Sequence, residues 1–300
     1  MISHTAARSR IKDDQATRLR HMLDTAAASA SQPEAPPALH APPTIAIASG
    51  KGGVGKSILS LSIANALAAD RRVTLLDADF GAANADVLLG IAPLRRLDEC
   101  FITDFAPGRR PVDIALDVAP NLRLVPGIVG GRYLPDAAQR ARLAARLADF
   151  HTAADALVID AAAGVHPAVI DMLAAADCPL IVTTPEPTAV ADAYALLKSL
   201  AVTHGTDAAS RASIAINLVD GQATAERVYR RLAAVSERFL GIRPVLAGLV
   251  PREPRLPKAV LSQRVALMRQ RGKLRRAVQA IASHAAASAI EAQSLRVAAR

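Results

Sequence analysis

Cysteine is scarce in this 300-residue chain: there are two, Cys100 and Cys178, far apart and in no C-x-x-C spacing. That excludes a disulfide framework and a cysteine-held metal cluster, and it suits a reducing compartment. Long apolar runs are missing as well. No continuous apolar segment follows a basic start, and charge interrupts every later stretch before it reaches the length of a membrane span. The expectation is a soluble cytoplasmic protein. Histidines such as His151 and His166 lack the partner spacing of a metal site or a general base. Acidic residues are nearly absent from one late segment, where nine basic residues between Arg252 and Arg276 meet a single acid, Glu253. Most of the net charge of +9 therefore sits there. Such a segment suits an anionic lipid surface, nucleic acid or an acidic protein face, and equally a solvated face.

What is present points to one large α/β domain. Hydrophobic residues make up 51% of the chain, enough for a sizeable core. Apolar β-type runs at Thr44 to Ser49, Val73 to Asp77, Leu122 to Val125, Ala156 to Asp160, Leu180 to Thr184, Ser213 to Leu218 and Val245 to Val250 alternate with helical stretches. That alternation predicts a mainly parallel twisted sheet flanked by helices on both faces. Ligands in such sheets sit at the C-terminal ends of the strands.

The first of those ends carries the sharpest motif. Gly50-Lys51-Gly52-Gly53-Val54-Gly55-Lys56-Ser57 fits G-x-x-x-x-G-K-[ST], between a strand-type run and a helix-type run that opens at Ile58. Glycines let backbone N–H groups close around phosphate oxygens, and the helix presents its positive N-terminus to the same anion. Lys56 is expected on the β and γ phosphates and the Ser57 hydroxyl on Mg²⁺, so the site is built for a nucleoside triphosphate.

Lys51 adds a second lysine to the loop, and the run Lys51 to Ser57 closely resembles the deviant phosphate loop of the MinD/ParA family. The resemblance implies that Lys51 reaches across an interface to a partner's nucleotide, so that ATP assembles a homodimer. Asp77-Ala78-Asp79-Phe80-Gly81 is similar to the family's first switch, which makes Asp79 the acid beside the metal that orients the attacking water. Phosphoryl transfer asks mainly for in-line water and neutralised charge, so a carboxylate, Mg²⁺ and two lysines suffice. Asp77 is expected to support the lysines and the metal from behind; helix capping fits Asp86 but fits the Asp77/Asp79 pair poorly. Asp160-Ala161-Ala162-Ala163-Gly164 resembles the second switch, with Asp160 on Mg²⁺ through water; Ala161 stands where the family has a hydroxyl residue. Asn217 matches the asparagine that reads adenine, and Pro251 and Arg252 match the far wall of the base pocket, with Glu253 in place of the usual Asp.

Two further stretches resemble the FlhG branch (also called FleN), which regulates flagellar number. Thr184-Pro185-Glu186-Pro187-Thr188, followed by Asp192-Ala193-Tyr194, is similar to its T-P-E-P-T-x-x-x-D-A-Y segment, expected to be architecture and dimer surface, with Thr188 capping a helix. Asp14-Gln15-Ala16-Thr17-Arg18-Leu19-Arg20 matches its D-Q-A-x-x-L-R tail, on a short amphipathic helix before a Pro/Ala-rich linker. The resemblance implies that Asp14, Gln15, Ala16, Leu19 and Arg20 engage and stimulate an FlhF-type GTPase. The expected domains are a tail over 1–43, a MinD-like ATPase over 44–272 and an amphipathic helical segment over 273–300. In the last, Leu274, Val278, Ile281 and Ala285 share a face, which suits reversible docking on the inner membrane or packing on the core. Alternatives are a MinD-type division-site ATPase, a ParA-type DNA-segregating ATPase with the basic run on nucleic acid, and a non-enzymatic adaptor. A transcription-factor partner also occurs in the branch.

Overall fold

The computed structural model describes residues 41–102, 111–130, 135–254 and 272–298. The tail motif Asp14 to Arg20, most of the linker and most of the basic run lie outside them. In chain order the elements are β1 (Thr44–Ser49), α1 (Lys56–Leu67), β2 (Val73–Ala78), α2 (Ala85–Leu89), α3 (Glu99–Ile102), β3 (Leu116–Ala119), β4 (Leu122–Val125), α4 (Ala137–Arg146), β5 (Ala156–Ala163), α5 (Pro167–Ala175), β6 (Cys178–Thr183), α6 (Pro187–His204), α7 (Thr206–Ser210), β7 (Ser213–Val219), α8 (Gln222–Leu240), β8 (Val245–Pro251) and α9 (Gly272–Ala298). The strands form one sheet in the order β3-β4-β2-β5-β1-β6-β7-β8. Every pairing is parallel except β3 with β4.

Period-two alternation divides the core between the two faces. Along β1, Ile45 and Ile47 join one apolar cluster with Leu59, Leu61 and Ile63 of α1, while Ala46 and Ala48 join the other with Val169 of α5 and Leu196 of α6. Both faces are covered, which is why the central strands read as unbroken apolar runs. The antiparallel edge strand β3 was not expected from sequence, because Leu116-Asp117-Val118-Ala119 is short and half-exposed. The second-switch residues Ala161 to Ala163 also extend β5 rather than forming a loop after it. Burial pushes the Cys178 thiol up to about 12 and the Cys100 thiol up to about 11, so both are inert at neutral pH.

The last helix settles one open reading. Leu274, Val278, Ile281, Ala282, Ala285, Ala286 and Ala289 of α9 are buried in the same cluster as α1 and β1. The stripe that suited a membrane is core. Its alanines let the helix sit close, and Gly248 on β8 lets Ile281 closer still, since a Cβ there would stand 2.6 Å from Ile281 Cγ1. The helix end is tied down by Asp177, which accepts from Arg296 Nη1 at 2.9 Å, Gln293 Nε2 at 3.0 Å and the Thr44 backbone N–H at 3.0 Å. No described helix is long and apolar enough to cross a membrane.

Candidate nucleotide site

β1 ends at Ser49 and α1 begins at Lys56, so the six residues between them form the loop. Gly53 (φ 81°) and Gly55 (φ 84°) occupy left-handed backbone, and Gly55 is the N-cap of α1. Gly50 answers a different need: a Cβ there would meet the Asp192 backbone at 2.2 Å, so only glycine lets the loop lie against α6. Gly52, Gly53, Gly55, Lys56, Ser57 and Ile58 line a cavity of about 720 Å³, together with Asp79, Phe80, Ala162 and Ala163. Loop, first switch and second switch thus share one cavity at the C-terminal ends of β1, β2 and β5.

The two lysines go to different places. Lys56 is buried, with Nζ 2.8 Å from Asp160 Oδ1 and 3.9 Å from Asp79 Oδ2. Lys51 lies outside the cavity lining, pairing with Glu186 Oε2 at 2.5 Å and donating to Thr188 Oγ1 at 3.2 Å. Lys51 holds the Glu186 carboxyl below its usual range. Thr188 therefore serves the lysine; it does not cap α6, whose N-cap is Glu186 with Pro187 in the first turn.

The acids of the first switch order their own loop. Asp77 accepts from the backbone N–H groups of Asp79 at 3.2 Å, Asn84 at 3.0 Å and Ala85 at 3.0 Å. It makes no direct bond to either lysine among the described residues, and, contrary to the expectation that capping fits this pair poorly, it satisfies two of the orphan donors at the start of α2. Asp86 Oδ1 accepts from the Val87 N–H in the first turn of α2 at 2.9 Å, and its Oδ2 pairs with Arg96 at 2.5 Å. Burial, then the charge of neighbouring Asp160, pushes Asp77 up to about 7 against those N–H bonds. Asp77 and Asp160 are register partners on β2 and β5, so two carboxylates lie side by side. Asp79 Oδ1 accepts from Gly81 and Ala82 N–H groups at 3.3 and 3.0 Å. Asp160 Oδ2 is buried and has no hydrogen-bond partner among the described residues.

The residues expected on adenine do not line this cavity. Asn217 Nδ2 donates to the Val54 carbonyl at 2.7 Å, bracing the loop from β7, and its Oδ1 accepts from the Leu218 N–H of its own strand at 2.9 Å. Pro251 ends β8, and Arg252 pairs with Asp220 at 3.0 Å. None of the three lines the cavity.

The model of the CobQ/CobB/MinD/ParA nucleotide binding domain matches residues 45–266. The chain belongs to the MinD/ParA nucleotide-binding family. Within it the chain is of the FleN type: it is 37% identical over 230 residues to Antiactivator FleN of Pseudomonas aeruginosa, covering 75% of this chain and 79% of that protein. It is also 31% identical over 204 residues to the flagellum site-determining protein YlxH of Helicobacter pylori, covering 66% and 68%. The septum site-determining protein MinD of Pyrococcus horikoshii, solved with Mg-ADP, superposes with a TM-score of 0.63 at 19% identity, covering 80% of this chain and 94% of that one. The FleN-type assignment makes the chain an ATPase. Two cavity residues of this FleN-type ATPase escaped the sequence reading: His166 at the N-cap of α5, and Arg140 of α4, which pairs with Asp171 at 2.7 Å. No spacing advertises either, because the fold brings them in from separate turns.

Proposed function

We propose that ATP closes two copies of this chain into a dimer and that hydrolysis reopens it, in a switch that sets flagellar number. The observation that carries this reading is the divergence of the two lysines. Lys56 faces its own buried carboxylates, whereas Lys51 is held at the surface by Glu186 and Thr188, where a second copy can take it over. Binding energy from the shared nucleotide then drives assembly, and its loss on hydrolysis releases it.

The residues fit the nucleotide and its metal. Ser57 lines the cavity and Asp160 offers an unpartnered buried oxygen, while no group of three or more His, Cys, Asp or Glu among the described residues could hold a metal alone. That is the donor set for Mg²⁺ shared with phosphates. When bound, the metal neutralises charge on the phosphates. In this scheme Lys56 and the loop N–H groups hold the phosphates, Ser57 and, through water, Asp160 hold Mg²⁺, and Asp79 orients the attacking water beside it. Asn217, Pro251 and Arg252 flank the adenine once the loop is loaded.

The tail residues Asp14, Gln15, Ala16, Leu19 and Arg20 would stimulate an FlhF-type GTPase, supported by their match to the branch motif. Since the α9 stripe is core, peripheral contact with the inner membrane falls to the exposed Ile290, Leu295 and Val297 and the basic run. GTPase assays of FlhF with a peptide covering Ile2 to Thr25 test the flagellar reading. Stimulation that Gln15→Ala abolishes supports it; no stimulation, or equal stimulation by both peptides, removes it in favour of a division or DNA-segregating ATPase.

A further inference from the structure

We propose that Ser60, one turn into α1, is a positioning residue for magnesium: its hydroxyl fixes the Asp160 carboxylate when Lys56 leaves it. The inference rests on the nucleotide reading above and names a residue that reading does not need. Ser60 is fully buried, and its Oγ lies 2.9 Å from Asp160 Oδ1 and 3.0 Å from the Lys56 carbonyl. A hydroxyl has one hydrogen, so only one of these two acceptors receives a full bond at a time. A serine inside a helix ordinarily bonds back to the carbonyl four residues earlier, here that of Lys56. A carboxylate is a stronger acceptor than a carbonyl and draws the hydrogen to itself.

The same carboxylate oxygen also receives Lys56 Nζ at 2.8 Å. Lys56 must leave it to reach phosphate, and a buried carboxylate that loses its cation is costly unless another arrives. Ser60 then becomes the sole remaining donor on Oδ1 among the described residues. It keeps that oxygen on α1 and so fixes the position of Oδ2, which is buried with no partner among the described residues and is the atom left to act toward a cation. Without the hydroxyl, the carboxylate is free to rotate at the moment the metal needs it. The loss should therefore fall on magnesium coupling rather than on nucleotide binding itself.

Fluorescence anisotropy of a labelled ADP on the full chain separates the two. The affinity is measured in EDTA and then across a Mg²⁺ titration, for wild type, Ser60→Ala, Asp160→Asn and the double variant. Alanine is the best helix former, so the backbone of α1 tolerates the change. Losing one charge-assisted hydrogen bond should raise the Mg²⁺ midpoint by about ten-fold in Ser60→Ala, leave the EDTA affinity within about two-fold, and add nothing in the Asp160→Asn background. An unmoved midpoint, or an equal loss with and without Mg²⁺, overturns the role of Ser60. A midpoint unmoved by Asp160→Asn instead overturns the metal reading, so the two failures are distinguishable. Ser60→Cys, which replaces the hydroxyl by a weak S–H donor at similar volume, is scored by the same criteria and decides the matter if Ser60→Ala does not fold.

Discussion

Replacing Ile281 by alanine distinguishes a core helix from a membrane-docking one. Ile281 is fully buried on α9, in the cluster that also holds Leu59 and Leu61 of α1, and it fills the space left by Gly248 on β8. The change deletes three carbons, worth about 0.8 kcal/mol each in transfer, and the close fit against α1 and β8 leaves little room for collapse. A loss of ~3 kcal/mol is expected. For a domain of this size that lowers the melting midpoint by about 6–12 °C. Gly248→Ala should also destabilise, by ~1–3 kcal/mol, because its Cβ meets Ile281 Cγ1. Combining it with Ile281→Ala should cost less than the sum, since alanine lacks the Cγ1 that the new methyl meets. The assay is thermal unfolding by circular dichroism without nucleotide. If Ile281→Ala melts within 1–2 °C of wild type while losing binding to anionic vesicles, α9 is a surface helix and the packing argument is wrong.

Glu186→Gln removes the charge that holds Lys51 at its own surface, so the dimer should half-form at several-fold lower ATP in sizing experiments; an unchanged or raised ATP requirement contradicts the latch. Stability should also depend on pH through Asp177, whose carboxyl burial raises above 3.8 despite Arg296, Gln293 and the Thr44 N–H. The folded state then holds a proton that the unfolded state has released, so this group's contribution falls as pH rises from about 4 until Asp177 ionises in the fold. Asp177→Asn should flatten that part of the curve in melts at pH 4 to 7, whatever it does to the absolute midpoint.

The phosphate loop was legible in sequence because its chemistry is carried by glycines that nothing else can replace: Gly53 and Gly55 at positive φ, and Gly50 against α6. Parallel strands were legible because burial on both faces makes them continuously apolar, as at Ile45 to Ala48. The failures have equally specific causes. β3 escaped because a half-exposed edge strand has no such run. The stripe on α9 gave the right face and left its partner open, since lipid and a sheet select the same periodicity; its run of alanines favoured close packing and was the available clue. Asp77 was not read as a helix cap because sequence gives the order of two acids and not their backbone partners. His166, Arg140 and Ser60 meet the site only through the fold, and no linear spacing records that.

The central claim is that ATP joins two copies through Lys51 while Lys56 serves its own subunit. Size-exclusion with light scattering, run on wild type and Lys51→Ala in ATP and in ADP, tests it most directly. The account predicts a wild-type dimer in ATP, a monomer in ADP, and a Lys51→Ala variant that binds nucleotide but stays monomeric in both. A Lys51→Ala protein that dimerises with ATP as readily as wild type would contradict it.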